Sequence, residues 1–388
     1  MRKFLSMFAI VALCGLAFVS CSDDDDTTPP PTPVTVTDGV FVVNAGTIGN
    51  IPGSLTYIGS DGSVTQKAFA NANNGMSLGD TPNDAVVNGS KLYIVVNGDN
   101  IIWVLDKNTL KIDRQLSTTE LMGEDKGKQP RHLLASGQYV FVSTYDGYVA
   151  AIDTTTYEAT VYQAGSYPEG MAISNGSLYV ANSDYSLGQK PSISVINLNS
   201  GTTTDIKDEL ITNPQSFAVM SDALYFLDYG SYDASYNQTG AGIRKVVNGE
   251  ITKVADATLM AANTNNGKIY IINAPYSYPA TPVTYSVYDT TTGETTQFIT
   301  GDDIDSPAAI AVDPVNGDVY ITSYVVDPDT GYAGYSIDGY VNRYTADGTF
   351  VSRNDVGVGP ITITFNYNTV YELSLIHISE PTRPLYIS

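Results

Sequence analysis

Short apolar runs separated by polar turns recur along most of the chain, and the stretch that begins at Pro168 shows this pattern clearly. Its three apolar runs are long enough for strands and too short for helices: Met171–Ser174, Leu178–Ala181 and Ile193–Ile196. Asn175-Gly176 joins the first two runs and supplies the positive φ angles of a tight hairpin. A more polar run, Thr202–Lys207, follows. The stretch therefore predicts four antiparallel strands in about forty residues, which is typical of one β-propeller blade.

The opening of this unit, a proline or alanine followed by small and apolar residues, occurs seven times. The seven openings begin at Pro82, Pro130, Pro168, Pro214, Ala257, Pro307 and Pro360. The segment from Val40 to Phe69 has second, third and fourth strands but no first strand, whereas Pro360–Phe365 has only a first strand. We therefore predict an all-β, seven-bladed β-propeller that is closed by strands from both termini, because such closure removes the free sheet edges.

The repeats resemble those of YVTN-type propellers, of which LYVAN and SVIN are representative fragments. The segments FVVNAGTIGN, SLGDTPNDAV and KLYIVVN further resemble surface propeller lipoproteins of gut Bacteroidetes. That group includes the corrinoid-capturing proteins that pass vitamin B12 to an outer-membrane transporter. The resemblance implies cobalamin binding and a TonB-dependent transporter as partner, although no binding residue of that family maps onto a position here.

The first residues read as a secretion signal. Arg2-Lys3 precede an apolar run, and Phe18-Val19-Ser20-Cys21 resembles a bacterial lipobox. We expect residues 1–20 to be a signal peptide and Cys21 to carry lipid; the alternative is an ordinary signal with an incidental cysteine. Asp23–Asp26 resemble a signal for export to the outer face of the outer membrane, or else form an acidic spacer. Residues 21–37 then form an acidic, proline-rich tether.

The propeller is expected to span residues 38–366, with an unassigned tail at 367–388. Within that tail, residues 373–388 read LSLIHISEPTRPLYIS, which resembles translated sequencing adapter. We expect this segment to be an artefact that packs on nothing.

Charge and cysteine content exclude several classes of function. The formal net charge of −22 repels the phosphates of nucleic acids and anionic lipid. Of the two cysteines, Cys14 lies in the expected signal and Cys21 at the expected lipid site, so no disulfide is expected. A metal site built from histidine and cysteine is likewise not expected.

Long loops between second and third strands are expected to lie together on one face of the ring. They carry nine tyrosines: Tyr185, Tyr229, Tyr232, Tyr236, Tyr276, Tyr278, Tyr324, Tyr332 and Tyr335. Tyrosine offers broad, rigid contact area with one polar tip, and long loops on a rigid scaffold commonly bind ligands. We predict a shared binding platform; the alternative is that these rings only pack the loops together.

Catalytic chemistry has little support in the sequence. His132 lies on a first strand without an evident partner, so it is expected to be packed or to line the channel, and it is a secondary candidate for ligand binding. Asp302-Asp303 and the segment Asp327–Gly331 could hold calcium, but turns are the favoured interpretation. We therefore expect a non-catalytic surface lipoprotein that captures a small molecule, with a corrinoid favoured and no cofactor. The alternatives are a glycan- or protein-binding propeller and a carboxylate-based lyase or hydrolase.

Overall fold

The structure, a computed structural model, describes residues 32–183, 190–220 and 223–372. Its strands form seven four-stranded sheets, each of which is one blade of a β-propeller. The predicted fold class is therefore confirmed. Residues 35–368 form one compact unit, and the described residues of a second unit, 32–34 and 369–372, are the ends of the first and last strands.

The strands follow one another along the chain blade by blade. Blades 1 to 3 contain β1 (Thr32–Asn44), β2 (Ser54–Gly59), β3 (Val64–Thr65), β4 (Pro82–Asn88), β5 (Lys91–Val96), β6 (Ile101–Asp106), β7 (Ile112–Ser117), β8 (Pro130–Ser136), β9 (Tyr139–Thr144), β10 (Tyr148–Asp153) and β11 (Ala159–Gln163). Blades 4 and 5 contain β12 (Pro168–Ser174), β13 (Ser177–Asn182), β14 (Ser192–Asn197), β15 (Thr203–Ile206), β16 (Pro214–Met220), β17 (Ala223–Asp228), β18 (Ser231–Tyr232), β19 (Gln238–Thr239), β20 (Gly242–Val247) and β21 (Glu250–Ala255). Blades 6 and 7 contain β22 (Leu259–Asn263), β23 (Lys268–Asn273), β24 (Thr284–Asp289), β25 (Thr295–Gln297), β26 (Ser306–Val312), β27 (Val319–Tyr324), β28 (Asp338–Tyr344) and β29 (Phe350–Val358), and the chain then returns to blade 1 as β30 (Pro360–Glu372).

Three short elements interrupt this regular order. The one-turn helices α1 (Ala68–Ala72) and α2 (Thr118–Met122) follow blades 1 and 2, respectively. The strands β18 and β19 form a two-stranded ribbon of their own within the long loop of blade 5. Among the described residues, no helix has the length and apolar character that a membrane crossing requires.

Both ends of the chain contribute to blade 1, as predicted. Its sheet has the order β3-β2-β1-β30, so the last strand takes the place of the missing first strand. On β30, Phe365 is buried and meets the ring of Tyr320 in blade 7, with ring centroids 5.5 Å apart. The last strand therefore joins blade 1 and also packs against its neighbour.

The two closing strands are longer than the sequence suggested. β1 begins at Thr32, before the expected start at residue 38, and β30 ends at Glu372, beyond residue 366. Because the two strands are paired neighbours in one sheet, each supplies the backbone hydrogen bonds that let the other extend. The expected signal, Cys21 and residues 373–388 lie outside the described residues.

The hydrophobic core lies between neighbouring blades. Second and third strands are buried along almost their whole length, as in β5 and β6, because one face of each sheet packs on the preceding blade and the other on the following blade. Between blades 1 and 2, for example, Phe41, Phe69 and Trp103 belong to one buried cluster. The fourth strands are polar and more exposed, as in β15. This arrangement explains why apolar runs and polar runs alternate with a fixed order in the sequence.

Each first strand lies at the sheet edge that faces the central channel. The first and second strands meet in short turns on one face of the ring, such as Asn175-Gly176, whose φ angles are 48° and 74°. The longer loops between second and third strands consequently emerge on the opposite face. Charged side chains from first strands and tyrosines from long loops can therefore share the mouth of the channel.

Candidate functional site

Three consecutive blades, 2 to 4, each carry a charged side chain within two residues of the opening proline of the first strand. In β4, β8 and β12, pairing with the second strand is irregular just after the opening proline. Such an irregularity re-aims the side chains beside it. Asp84, His132 and Glu169 lie in these irregular segments, one in each of blades 2, 3 and 4.

His132 has two carboxylate partners, so the expectation that it lacks an evident partner is wrong. Its Nδ1 lies 3.2 Å from Asp84 Oδ2 and its Nε2 lies 3.5 Å from Glu169 Oε2. Burial acts to lower the pKa of His132, but hydrogen bonds to both carboxylates and their negative charges outweigh burial and raise this pKa to about 9. The imidazole is therefore a cation at neutral pH. The sequence hid these partners because they belong to the two neighbouring blades.

Glu169 is the most enclosed member of the group, with only 2% of its surface exposed. Its Oε2 accepts a hydrogen bond from Arg131 Nε at 3.0 Å, and its Oε1 accepts from the hydroxyls of Tyr145 at 2.6 Å and Ser183 at 3.3 Å. Burial acts to raise the pKa of Glu169, but the hydrogen bond from His132 and the positive charges of Arg131 and His132 prevail and lower it. The carboxylate is therefore ionised, and both of its oxygens accept hydrogen bonds from protein groups.

Arg131 joins this group to its surroundings. Its Nη1 donates to Asn83 Oδ1 at 2.8 Å, and its guanidinium lies 4.7 Å from the centre of the Tyr145 ring. We call Asp84, Arg131, His132 and Glu169 the channel cluster. It combines two cations with two carboxylates, so their charges balance within the group.

Above the channel cluster, a cleft of about 900 Å³ opens between Ser183 and Pro191 of blade 4 and the long loop of blade 5. Arg131 and Glu169 form part of its lining, together with three of the predicted tyrosines, Tyr229, Tyr232 and Tyr236. Burial raises the pKa of Tyr229 to about 12, so its phenol stays neutral and can donate a hydrogen bond. The cleft therefore has aromatic walls and a charge-balanced floor.

The ribbon of β18 and β19 positions the aromatic wall. Tyr232 lies on β18, and Tyr236 lies in the turn with a φ of 65°. Asp233 Oδ1 accepts hydrogen bonds from the backbone amides of Ser235 at 2.8 Å and Asn237 at 2.9 Å. These bonds stabilise the tight turn, which is where asparagine and aspartate side chains commonly act.

The predicted tyrosines of blade 6 are near this ribbon but do not line the cleft. The backbone amide of Gln238 donates to the carbonyl of Tyr276 at 2.7 Å, and that of Tyr278 donates to Asn237 Oδ1 at 2.7 Å. Tyr278 is 83% exposed. The two loops are therefore joined by one backbone–backbone bond and one bond to the Asn237 side chain, while the tyrosines of blade 6 face solvent.

The remaining predicted tyrosines lie farther round the ring or outside the described residues. In blade 7, Tyr324 packs against Tyr335 with ring centroids 5.2 Å apart, whereas Tyr332 is exposed. Tyr185 lies outside the described residues. The structure thus gathers Tyr229, Tyr232 and Tyr236 in one cleft and distributes the other described tyrosines over neighbouring loops.

The two acidic segments considered for calcium have protein partners. Asp327 Oδ1 accepts from the amide of Asp329 at 2.9 Å, and the Asp327 carbonyl accepts from Gly331 at 2.8 Å, which describes a turn. The carboxylate of Asp303 accepts hydrogen bonds from Tyr344 and Asn342. Within residues 32–183, 190–220 and 223–372, no group of three or more histidine, cysteine, aspartate or glutamate side chains is arranged to hold a metal ion.

Residues 38–334 match the model of a protein family described as "Domain of unknown function (DUF5074)". The protein belongs to the DUF5074 family. No curated protein sequence matches it.

Solved structures with propeller folds resemble this DUF5074 protein. A quinonprotein alcohol dehydrogenase-like protein from Bacteroides thetaiotaomicron VPI-5482 superimposes with a TM-score of 0.61 at 17% identity, over 85% of this chain and 78% of that chain. Kuenenia stuttgartiensis hydrazine synthase superimposes with a TM-score of 0.56 at 14% identity, over 75% of this chain and 95% of that chain. At such low identity these similarities show the fold alone.

Among the site residues that the sequence analysis missed are Asn83, Asp84, Arg131 and Glu169. A signal for them was present in the repeats themselves. Aligned on their opening prolines, three consecutive repeats read Pro-Asn-Asp, Pro-Arg-His and Pro-Glu-Gly, starting at Pro82, Pro130 and Pro168. Polar and charged residues at these otherwise small or apolar positions indicate a shared polar site at the channel.

Proposed function

We propose that this DUF5074 protein is a non-catalytic binding protein that captures a small molecule in the cleft between blades 4 and 5. The observation that carries this proposal is the cleft itself, whose volume of about 900 Å³ lies within the range of small-molecule sites. Tyr229, Tyr232 and Tyr236 supply aromatic surface, and Asn213 and Gln215 add amide groups at its base. In such pockets, a small number of polar groups on a largely aromatic wall fix the orientation of the bound molecule.

The chemistry of the cleft favours a flat or ring-shaped ligand without a large net charge, since the Asp233 carboxylate in its lining is engaged by amides of its own turn. Arg131 and Glu169 are bound to each other, so the floor offers no uncompensated charge to attract an ion. A ligand face stacked on an aromatic ring gains roughly 1–3 kcal/mol, by analogy with base stacking. We propose a corrinoid as the first ligand to test, because of the resemblance carried by FVVNAGTIGN and SLGDTPNDAV. Oligosaccharides, which also stack on tyrosine, are the second.

Binding is favoured over carboxylate-based catalysis by the state of the two carboxylates in the channel cluster. Both oxygens of Glu169 accept hydrogen bonds, and Asp84 Oδ2 accepts from the amide of Leu133 at 2.9 Å besides facing His132. A nucleophile or general base must present an available lone pair to its substrate. The oxygens of these carboxylates are instead occupied by protein groups, which supports a structural role for the cluster beneath the ligand.

Replacement of Tyr232 or Tyr236 by alanine is expected to weaken ligand binding by about tenfold each, since one stacked ring is lost and tenfold corresponds to about 1.4 kcal/mol. Isothermal titration with ligands found in a thermal-shift screen of corrinoids and oligosaccharides measures the effect. Folding should persist because both residues lie outside the blade ladders.

Tyr278→Ala is the matched control, because this exposed tyrosine lies on the adjacent loop but does not line the cleft. Unchanged affinity in Tyr278→Ala limits the site to the cleft, whereas an equal loss extends it into the larger platform predicted from the sequence. Folded Tyr232→Ala and Tyr236→Ala variants that bind every identified ligand like the parent would rule out the cleft.

We also propose that lipid on Cys21 anchors the protein to the outer membrane, with Asp23–Asp26 directing it to the cell exterior. A TonB-dependent transporter would then receive the captured molecule. Cys21→Ala is expected to move the protein from the membrane fraction to the soluble fraction.

Replacement of Asp23–Asp26 by alanine is expected to abolish cleavage by protease added to whole cells. Undiminished cleavage of that second variant would remove the proposed role of the acidic residues.

A further inference from the structure

The central channel forms a second cavity of about 430 Å³ that continues from the cleft. Arg131, Gln215 and Tyr229 line both spaces, so a molecule held in the cleft borders directly on the channel. This volume exceeds the roughly 150 Å³ of an apolar cavity that holds a benzene molecule. The channel is therefore large enough to admit part of a ligand.

The wall of the channel is divided into a polar half and an apolar half. On blades 2, 3 and 5 the lining is polar apart from Leu227, and it consists of Asn83, Arg131, His132, Gln215, Ser216 and Tyr229. The consecutive blades 6, 7 and 1 contribute side chains that are apolar with one exception, Thr362. Among these apolar side chains are Leu259 and Met260 of blade 6 and Ala308 and Ala309 of blade 7.

The polar half presents charges that are already paired, whereas the apolar half presents hydrophobic surface that a ligand can cover. The ions of the polar half neutralise one another, and the Thr362 hydroxyl donates to the carbonyl of Asn83 at 2.9 Å. On the apolar half, side chains such as Leu259 and Met260 are only half-buried, because a first strand faces the channel with its edge. An apolar group that covers them removes this surface from water, which is favourable.

We propose that the ligand of the cleft carries an apolar arm, either a short alkyl chain or a single aromatic ring, which enters the channel and lies on the apolar half. This inference rests on the proposed function, because the arm enters by way of the cleft. Ala308 and Ala309 leave the space that the arm occupies, and the channel cluster lies opposite. The protein is thereby expected to select amphipathic ligands over their fully polar analogues.

Alkyl glucosides and hexanol test the arm on the full protein. Methyl, butyl and hexyl β-D-glucoside share one head group, and each buried methylene is expected to tighten binding by up to about fourfold. Hexyl glucoside should therefore bind at least about tenfold more tightly than methyl glucoside. Both hexyl glucoside and free hexanol should shift the NMR signal of the isotope-labelled Met260 methyl group, which Met260→Leu assigns, while the signal of the core residue Met122 stays in place.

Two substitutions at one position separate volume from other effects. Ala309→Phe fills the channel and should abolish the advantage of hexyl over methyl glucoside, whereas Ala309→Ser leaves the space open and should retain most of it. If Ala309→Phe does not fold, Leu259→Asn makes the wall polar at nearly constant size and should reduce the same advantage severalfold.

The outcomes distinguish the channel from the cleft. An unshifted Met260 signal at saturating hexanol and hexyl glucoside, or equal affinity for methyl and hexyl glucoside, overturns the apolar arm whatever the cleft binds. Loss of binding in Tyr232→Ala with no dependence on chain length retains the proposed function and rejects the arm. A Met260 shift by subsaturating hexyl glucoside that Tyr232→Ala leaves unchanged retains the channel site and rejects its link to the cleft.

Discussion

Truncation of the chain before Pro360 is expected to unfold the entire ring. β30 is the first strand of blade 1, and its removal exposes one edge of β1 as well as the apolar surface that Phe365 covers on Tyr320. Large aromatic residues removed from a core cost about 3–5 kcal/mol each, and domains of this kind have only about 5–15 kcal/mol of stability in total. Loss of a whole closing strand therefore consumes most or all of that stability.

Urea denaturation followed by circular dichroism measures this effect. The control is truncation after Glu372, which removes residues 373–388 and leaves β30 intact. We expect the control to retain the denaturation midpoint of the full chain, and the shorter form to be unfolded or aggregated. Equal midpoints for the two truncated forms would contradict closure of the ring by β30.

Replacement of Glu169 by alanine is expected to lower the free energy of unfolding by about 3–5 kcal/mol, the usual cost of removing one partner from a buried ion pair. The substitution leaves Arg131 and His132 without the carboxylate between them, and it removes the acceptor of the Tyr145 hydroxyl. Glu169→Gln should cost less, because it preserves size and one hydrogen-bonding oxygen. Urea denaturation again provides the measurement.

The matched control is a surface ion pair of the same kind. Lys253 and Asp256 are 2.6 Å apart, but Asp256 is 71% exposed. Solvent screening limits such pairs to about 0–1 kcal/mol, so Asp256→Ala should have little effect. If Glu169→Ala and Asp256→Ala lower stability equally, the channel cluster contributes no more than a surface pair.

The same cluster gives stability a defined dependence on pH. The pKa of Glu169 is lowered in the folded state, so its contribution is present at neutral pH and is lost as the pH falls through that lowered value. The pKa of His132 is raised from 6.5 to about 9, so its contribution is complete below about 6.5 and is lost as the pH rises through about 9. Stability should therefore decrease from neutral pH to about pH 9, and His132→Gln should weaken this decrease. An unchanged alkaline decrease in His132→Gln would assign it to other groups.

The sequence by itself determined the number of blades and the way in which the ring closes. Each blade forms from residues that are close together in the sequence, because apolar runs of strand length are joined by turns such as Asn175-Gly176. The repeat of these runs and turns can therefore be recognised from the order of residues alone. The first unit lacks a first strand and the last unit has only a first strand, so the sequence also predicted that β1 and β30 share a sheet. The limits of those two strands were less accurate, because their extension depends on the pairing of the two ends of the chain.

Only the tertiary structure decided which side chains meet at the channel and in the cleft. Asp84, His132 and Glu169 belong to three separate repeats, and their contacts depend on how neighbouring blades pack and on irregular pairing after each opening proline. The tyrosines of the long loops looked equivalent in the sequence, yet Tyr232 lines the cleft while Tyr278 faces solvent. A loop's path is set by bonds to its neighbours, such as those between Asn237 and the adjacent loop, and hydrophobic periodicity carries no information about them.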